Sequence, residues 1–92
     1  MSGETIVTLY GNRSCAYCGA ARMLLTKKGI PFNDVVVTDD PALLDEMQQR
    51  TGRKSVPQVF VGDQYVGGFD ELDAFAKSGE LDKLLAGQTV GN

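Results

Sequence analysis

A helical pattern held between two β-branched runs constrains this chain more than any other feature. Residues 5–10 (TIVTLY) end at Gly11 and have the make-up of a strand, and residues 32–37 (FNDVVV) read as a second. Between them, Ala20, Met23, Leu24 and Lys27 recur at helical spacing over residues 16–28. Lys27 and Lys28 suit the last turn of that helix, and Gly29 followed by Pro31 ends it. Strand, helix and strand in this order imply a parallel pair joined by a right-handed crossover.

The rest of the chain extends that unit. Asp40 before Pro41 is an N-cap and a first-turn proline, with Leu43, Leu44 and Met47 on one helical face and Gly52 closing it. Residues 59–61 and 64–66 flank Gly62-Asp63, a two-residue hairpin signal. Gly67-Gly68 breaks the chain. Asp70 is the expected cap of a helix bearing Leu72, Phe75 and Ala76, with Asp73 near the capping-box position. A short helix over residues 81–85 covers the remaining apolar patch. The expectation is an α/β domain with a four-stranded mixed sheet flanked by helices.

A chain of 92 residues makes one domain, expected over 1–92 with its core at about 5–86 and a flexible tail at 87–92. A net charge of −3 and the lack of a basic stripe argue against nucleic acid as a partner. No apolar run approaches the roughly 18–20 residues that span a bilayer, and Met1-Ser2-Gly3-Glu4 has no signal-peptide pattern. No membrane contact and a cytoplasmic location are therefore expected. Arg50, Arg53 and Lys54 form a short basic group, read as a solvated loop or as an anion site.

The chain has no histidine, which excludes Ser-His-Asp and Cys-His catalysis and removes the commonest metal ligand. Its two cysteines, in Cys15-Ala16-Tyr17-Cys18, are the strong nucleophile candidates. A disulfide across so short a loop removes little unfolded-state entropy, so a purely structural bridge is a weak reading. A tetrahedral zinc site wants four ligands, and two cysteines without histidine leave it half built. Redox chemistry remains the stronger reading, with metal binding and inert core thiols beside it.

Position sharpens this. Cys15 opens a helix, where unpaired backbone N–H groups and the helix dipole favour a thiolate. Arg13 and Arg22 are candidate cations beside it. Cys18 lies one turn further in, placed to attack a disulfide on Cys15. If the pKa falls from about 8.5 to about 5, the thiolate fraction at pH 7 rises from roughly 3% to nearly all. Nucleophilicity falls with basicity, with a Brønsted coefficient of about 0.4–0.5, so the lasting gain is as a leaving group.

Four stretches in order now carry a resemblance: Tyr10 before the loop, Cys15-Ala16-Tyr17-Cys18, Ser55-Val56-Pro57 and Gly67-Gly68-Phe69-Asp70-Glu71. Together they span residues 6–85, and the chain resembles the glutaredoxins, the small bacterial dithiol members above all. The resemblance implies a thioredoxin-like fold with a cis Val56–Pro57 peptide. It implies a glutathione-dependent disulfide oxidoreductase that works on protein disulfides and protein–glutathione mixed disulfides, as a monomer. Cys15 and Cys18 would be catalytic. Tyr17 would flank the reactive sulfur and Arg53 would take the glycine carboxylate of glutathione. Ser55, Val56 and Pro57 would hold its cysteinyl part. Backbone N–H groups of Phe69 and Asp70 would receive the γ-glutamyl carboxylate, with Asp70 or Glu71 pairing its ammonium.

Two departures stand out. Glutaredoxins usually carry proline where this chain has Ala16, and often lysine where it has Asn12. Arg13 is one candidate replacement for that lysine. Loss of the proline opens an alternative, a [2Fe-2S] cluster shared by two chains with Cys15 and glutathione as ligands. A redoxin served by thioredoxin reductase is a further alternative, against which the Gly67-Gly68-Phe69-Asp70 stretch speaks.

Overall fold

The computed structural model describes residues 6–86. Eight elements follow one another: β1 (Val7–Gly11), α1 (Ala16–Lys27), β2 (Phe32–Val36), α2 (Pro41–Thr51), β3 (Gln58–Val61), β4 (Gln64–Gly67), α3 (Phe69–Ser78) and α4 (Glu80–Leu85). The tail read at 87–92 lies outside the described residues, as does Thr5 at the start of the first strand.

The sheet runs in the order β2-β1-β3-β4. β1 pairs with β2 in parallel, Val7 beside Phe32 through Gly11 beside Val36. β3 runs antiparallel to β1, with Tyr10 opposite Gln58, and β4 turns back antiparallel to β3. Here is the four-stranded mixed sheet with flanking helices that the element order led us to expect. β1 and β3 are central, so both their faces are covered. Side chains alternate across a strand. Val7, Leu9, Val59 and Val61 therefore enter one cluster with Ala21, Leu25, Leu72, Leu81 and Leu84 from α1, α3 and α4. Tyr10 and Phe60 enter the opposite cluster with Met47 of α2 and Val37.

Local chemistry sets the helix ends. The Asp40 carboxylate accepts the Ala42 N–H at 3.0 Å, Pro41 opens α2, and Gly52 ends it at φ +72°. Three expectations need correction. First, α1 does not seat the whole stripe of Ala20, Met23, Leu24 and Lys27 on the core, although Leu24 packs against it. It buries Cys18, Ala21 and Leu25, and Met23 is 59% exposed. The Cys18 thiol is buried there as a small apolar side chain would be. Second, Asp70 does not cap α3. Gly68 is the N-cap residue, Phe69 begins the helix, and Asp70 lies in its first turn. Third, the residue that reaches back in the manner of a capping box is Glu71, not Asp73: its carboxylate accepts the Gly68 N–H at 2.8 Å. In addition, β2 stops at Val36 rather than at residue 37, and α4 starts at Glu80 rather than at 81.

Candidate active site

The loop after β1 is held by Asn12. Its side-chain oxygen accepts the backbone N–H of Cys15 at 2.7 Å and of Ser14 at 3.2 Å, an Asx turn. That turn delivers Cys15 to the N-cap position of α1 in an extended conformation. Its sulfur accepts the Cys18 N–H at 3.4 Å and stands 3.8 Å from the Val56 carbonyl oxygen. Arg22, one turn beyond Cys18, donates to the Asn12 carbonyl at 3.0 Å and to Asp34 of β2 at 3.0 Å. Arg13, the other candidate cation, is instead bound to Asp39 at the surface.

These contacts separate the two thiols. Partial burial pushes the Cys15 thiol up. The Cys18 backbone N–H, the Cys18 thiol, the Tyr17 backbone N–H and the Arg22 charge together outweigh it and hold Cys15 below the ordinary thiol range. Cys18 is 0% exposed. Burial pushes it up to about 11 against the pull of the Asn12 N–H, and the neighbouring Cys15 adds to the rise. One sulfur is thus biased toward the thiolate and placed to attack a disulfide. The other is a protonated thiol one helical turn inside.

Val56, whose carbonyl meets the Cys15 sulfur, lines a cavity of about 340 Å³ that neither cysteine itself lines. Tyr17, Arg53, Ser55, Val56, Pro57, Phe69, Asp70 and Glu71 all line it, so the structure brings together every residue assigned to binding from the resemblance. Val56–Pro57 is a cis peptide. The Tyr17 ring is exposed and stands 6.1 Å from the Phe69 ring. Arg53 supplies a cation, and Asp70 and Glu71 supply carboxylates. The carboxylate of Glu71 is already engaged by the Gly68 N–H, which leaves Asp70 the freer of the two.

The basic group divides. Arg50 stacks over Phe60 at 3.8 Å and donates to the Tyr10 hydroxyl at 2.7 Å, Arg53 lines the cavity, and Lys54 does neither. Three site residues escaped the sequence reading: Gln58, Asn12 and Gly68, the last read only as a chain break. Gln58 lines the cavity, and its signal was a polar residue opening an otherwise apolar strand. Asn12 was read as a missing cation, although asparagine ahead of a helix start is itself a turn signal.

Comparison with known proteins gives this geometry its context. The profile of the family described as Glutaredoxin matches residues 7–66. Glutaredoxin 3 of Escherichia coli strain K12 is 40% identical over 79 residues, which is 86% of this chain and 95% of that protein. A glutaredoxin of Pseudomonas aeruginosa is 38% identical over 80 residues, 87% of this chain and 95% of its own. The solution structure of glutaredoxin from Brucella melitensis superposes with a TM-score of 0.81 at 39% identity, covering 97% of this chain and 98% of that one. Matched along nearly the whole length of such relatives, and carrying a dithiol at a helix start on a thioredoxin-like fold, the chain belongs to the glutaredoxins, a family of thiol–disulfide oxidoreductases.

Proposed function

We propose that the protein is a glutathione-dependent oxidoreductase that reduces protein–glutathione mixed disulfides and protein disulfides through Cys15 and Cys18. One observation carries this reading. A thiol held below its ordinary pKa stands 3.8 Å from the carbonyl of Val56, and Val56 lines a cavity together with the Arg53 cation and the Asp70 carboxylate. About 340 Å³ lies at the small end of ligand cavities, in keeping with a tripeptide. Arg53 pairs the glycine carboxylate, and the Val56 backbone, with Ser55 and Pro57 beside it, receives the cysteinyl part as an added strand would. The N–H groups of Phe69 and Asp70, at the start of α3, take the γ-glutamyl carboxylate. Asp70 pairs the ammonium, since Glu71 is engaged elsewhere. Tyr17 covers the reacting sulfurs.

On a glutathionylated protein, the Cys15 thiolate attacks the glutathione sulfur. The Cys15–glutathione disulfide forms and the protein leaves as a thiolate that takes a proton from water. A second glutathione thiolate attacks the bound glutathione sulfur, Cys15 leaves as thiolate, and glutathione disulfide departs. On a protein disulfide, Cys15 forms a mixed disulfide with one substrate sulfur. Cys18 then loses its proton and attacks Cys15, releasing the reduced protein and a Cys15–Cys18 disulfide that two glutathiones reduce. The Cys15 thiolate is one of the charges that keep Cys18 protonated. Its consumption in a mixed disulfide removes that charge, so Cys18 ionises more readily at the step that needs it.

One chain holds both cysteines and the cavity, so a monomer suffices. The cytoplasm, where glutathione keeps thiols reduced, is the compartment that fits. A [2Fe-2S] cluster is the alternative reading: with Cys18 sealed in the core, Cys15 would be the one cysteine ligand from each of two chains, and glutathione would supply the others.

The test is a pair of serine variants assayed with glutathione and glutathione reductase. Cys15→Ser loses all reduction of both substrate types. Cys18→Ser loses reduction of protein disulfides and retains that of a glutathionylated peptide. Activity surviving in Cys15→Ser overturns the proposal.

A further inference from the structure

Gln58 is the one polar residue buried in the core among the described residues, at 2% exposure. Burying an amide costs free energy unless its groups are paired. Here they are all paired. Nε2 donates to the Ser55 carbonyl oxygen at 3.0 Å and to the Ser55 hydroxyl at 3.2 Å. Oε1 accepts the hydroxyl of Tyr65. A carbonyl only accepts, so the amide nitrogen must face Ser55, and Tyr65 must then be the donor. Tyr65 is held in turn by its place on β4 opposite Phe60, whose ring lies 5.2 Å away. A continuous chain of contacts thus runs from β4 through Gln58 to the Ser55 carbonyl.

That carbonyl belongs to the Ser55–Val56 peptide. A peptide is planar, so fixing its oxygen fixes the direction of the Val56 N–H. The next carbonyl, that of Val56, meets the Cys15 sulfur at 3.8 Å. The segment that lines the cavity beside the reactive thiol is therefore oriented from behind, by side chains of the β3–β4 hairpin. We propose that Tyr65 and Gln58 are positioning residues that hold the Ser55–Val56 peptide in the orientation receiving the extended backbone of a glutathionyl substrate. This deepens the function proposed above and rests on it.

Tyr65→Phe is the decisive variant, because it keeps the ring and deletes one hydroxyl. Initial rates are measured with a glutathionylated peptide, and alkylation of Cys15 is followed with iodoacetamide, which is small, neutral and independent of the cavity. Tyr65→Phe raises KM about three- to ten-fold, the size expected for the net loss of one ordinary hydrogen bond. Its kcat stays within about two-fold, and its alkylation rate matches the wild type. Gln58→Met raises KM at least as far, and adding Tyr65→Phe to it changes KM no further, as contacts in series require. A Tyr65→Phe KM equal to that of the wild type overturns the inference, and so does a parallel fall in alkylation, which marks general loosening. A wild type that fails to saturate with the glutathionylated peptide overturns the functional reading and the inference together.

Discussion

Arg22 is the residue whose charge bears most directly on the dithiol. It is held on two sides, by the Asn12 carbonyl and by Asp34, so its guanidinium has little freedom to leave. The thiolate is the reacting species, so Cys15 alkylation rises as pH climbs through its pKa. With that pKa below the ordinary thiol value, the rise comes at lower pH than in a free cysteine. Arg22→Gln removes a charge that favours the thiolate. The midpoint of the alkylation profile therefore moves up, the rate below that midpoint falls, and Arg22→Lys recovers part of the loss. An Arg22→Gln profile that overlays the wild type removes Arg22 from the account. The sequence marked Arg13 and Arg22 alike, because charge alone does not say which way a side chain turns. Helical spacing held the answer: Arg22 stands one turn from Cys18 on the same helix, whereas Arg13 sits in a loop free to turn to Asp39.

At the scale of the element, the start of α3 shows how a cap arises without a cap side chain. Gly67 adopts φ +123°, and a Cβ there would stand 2.8 Å from a Glu71 carboxylate oxygen. The glycine pair thus admits the Glu71 side chain, which folds back onto the Gly68 N–H. Only half of a capping box forms, since Gly68 has no side chain to return the bond. Glu71→Ala leaves that N–H to solvent and costs about 0.5–2 kcal/mol, the usual range for a lost cap, while Glu71→Gln keeps an acceptor and loses less. Thermal unfolding of the two variants measures both. The element itself was legible, from Leu72, Phe75 and Ala76 at helical spacing. Its first residue was not, because Asp70 has the stronger intrinsic preference for a cap and the sequence does not show that a glycine two places earlier already holds that position. A similar limit moved the buried face of α1: Met23 is as apolar as its neighbours, and only the packing of Cys18, Ala21 and Leu25 onto the sheet decides which stripe is covered.

Across the whole molecule, the site exists because three strand ends meet at one edge of the sheet. β1 ends at Gly11 and feeds the Cys15 loop. β3 runs the opposite way and starts beside the end of β1, with Gln58 opposite Tyr10, so Pro57 arrives next to that loop. β4 reverses again and ends at Gly67 opposite Val59, which sets Gly68, Phe69 and Asp70 against the same edge. The sequence showed each segment and each turn. It did not show that β3 inserts beside β1, since strand order is decided by contacts between segments as far apart as Val7 and Val61 and leaves no local pattern. This layout separates the site from the core that supports it. Leu81 is fully buried in the cluster beneath α1, α3 and α4, yet it belongs to a helix that supplies nothing to the cavity. Leu81→Ala costs about 2–5 kcal/mol through lost burial and the space left behind. That is a large share of the roughly 5–15 kcal/mol that holds a small domain together. Denaturant unfolding will show the loss as a lower midpoint. At temperatures where the variant remains folded, kcat, KM for a glutathionylated peptide and the Cys15 alkylation profile all match the wild type, because the three strand ends keep their register. A shifted KM in folded Leu81→Ala protein would mean that the far core, and not the sheet edge alone, sets the geometry of the site.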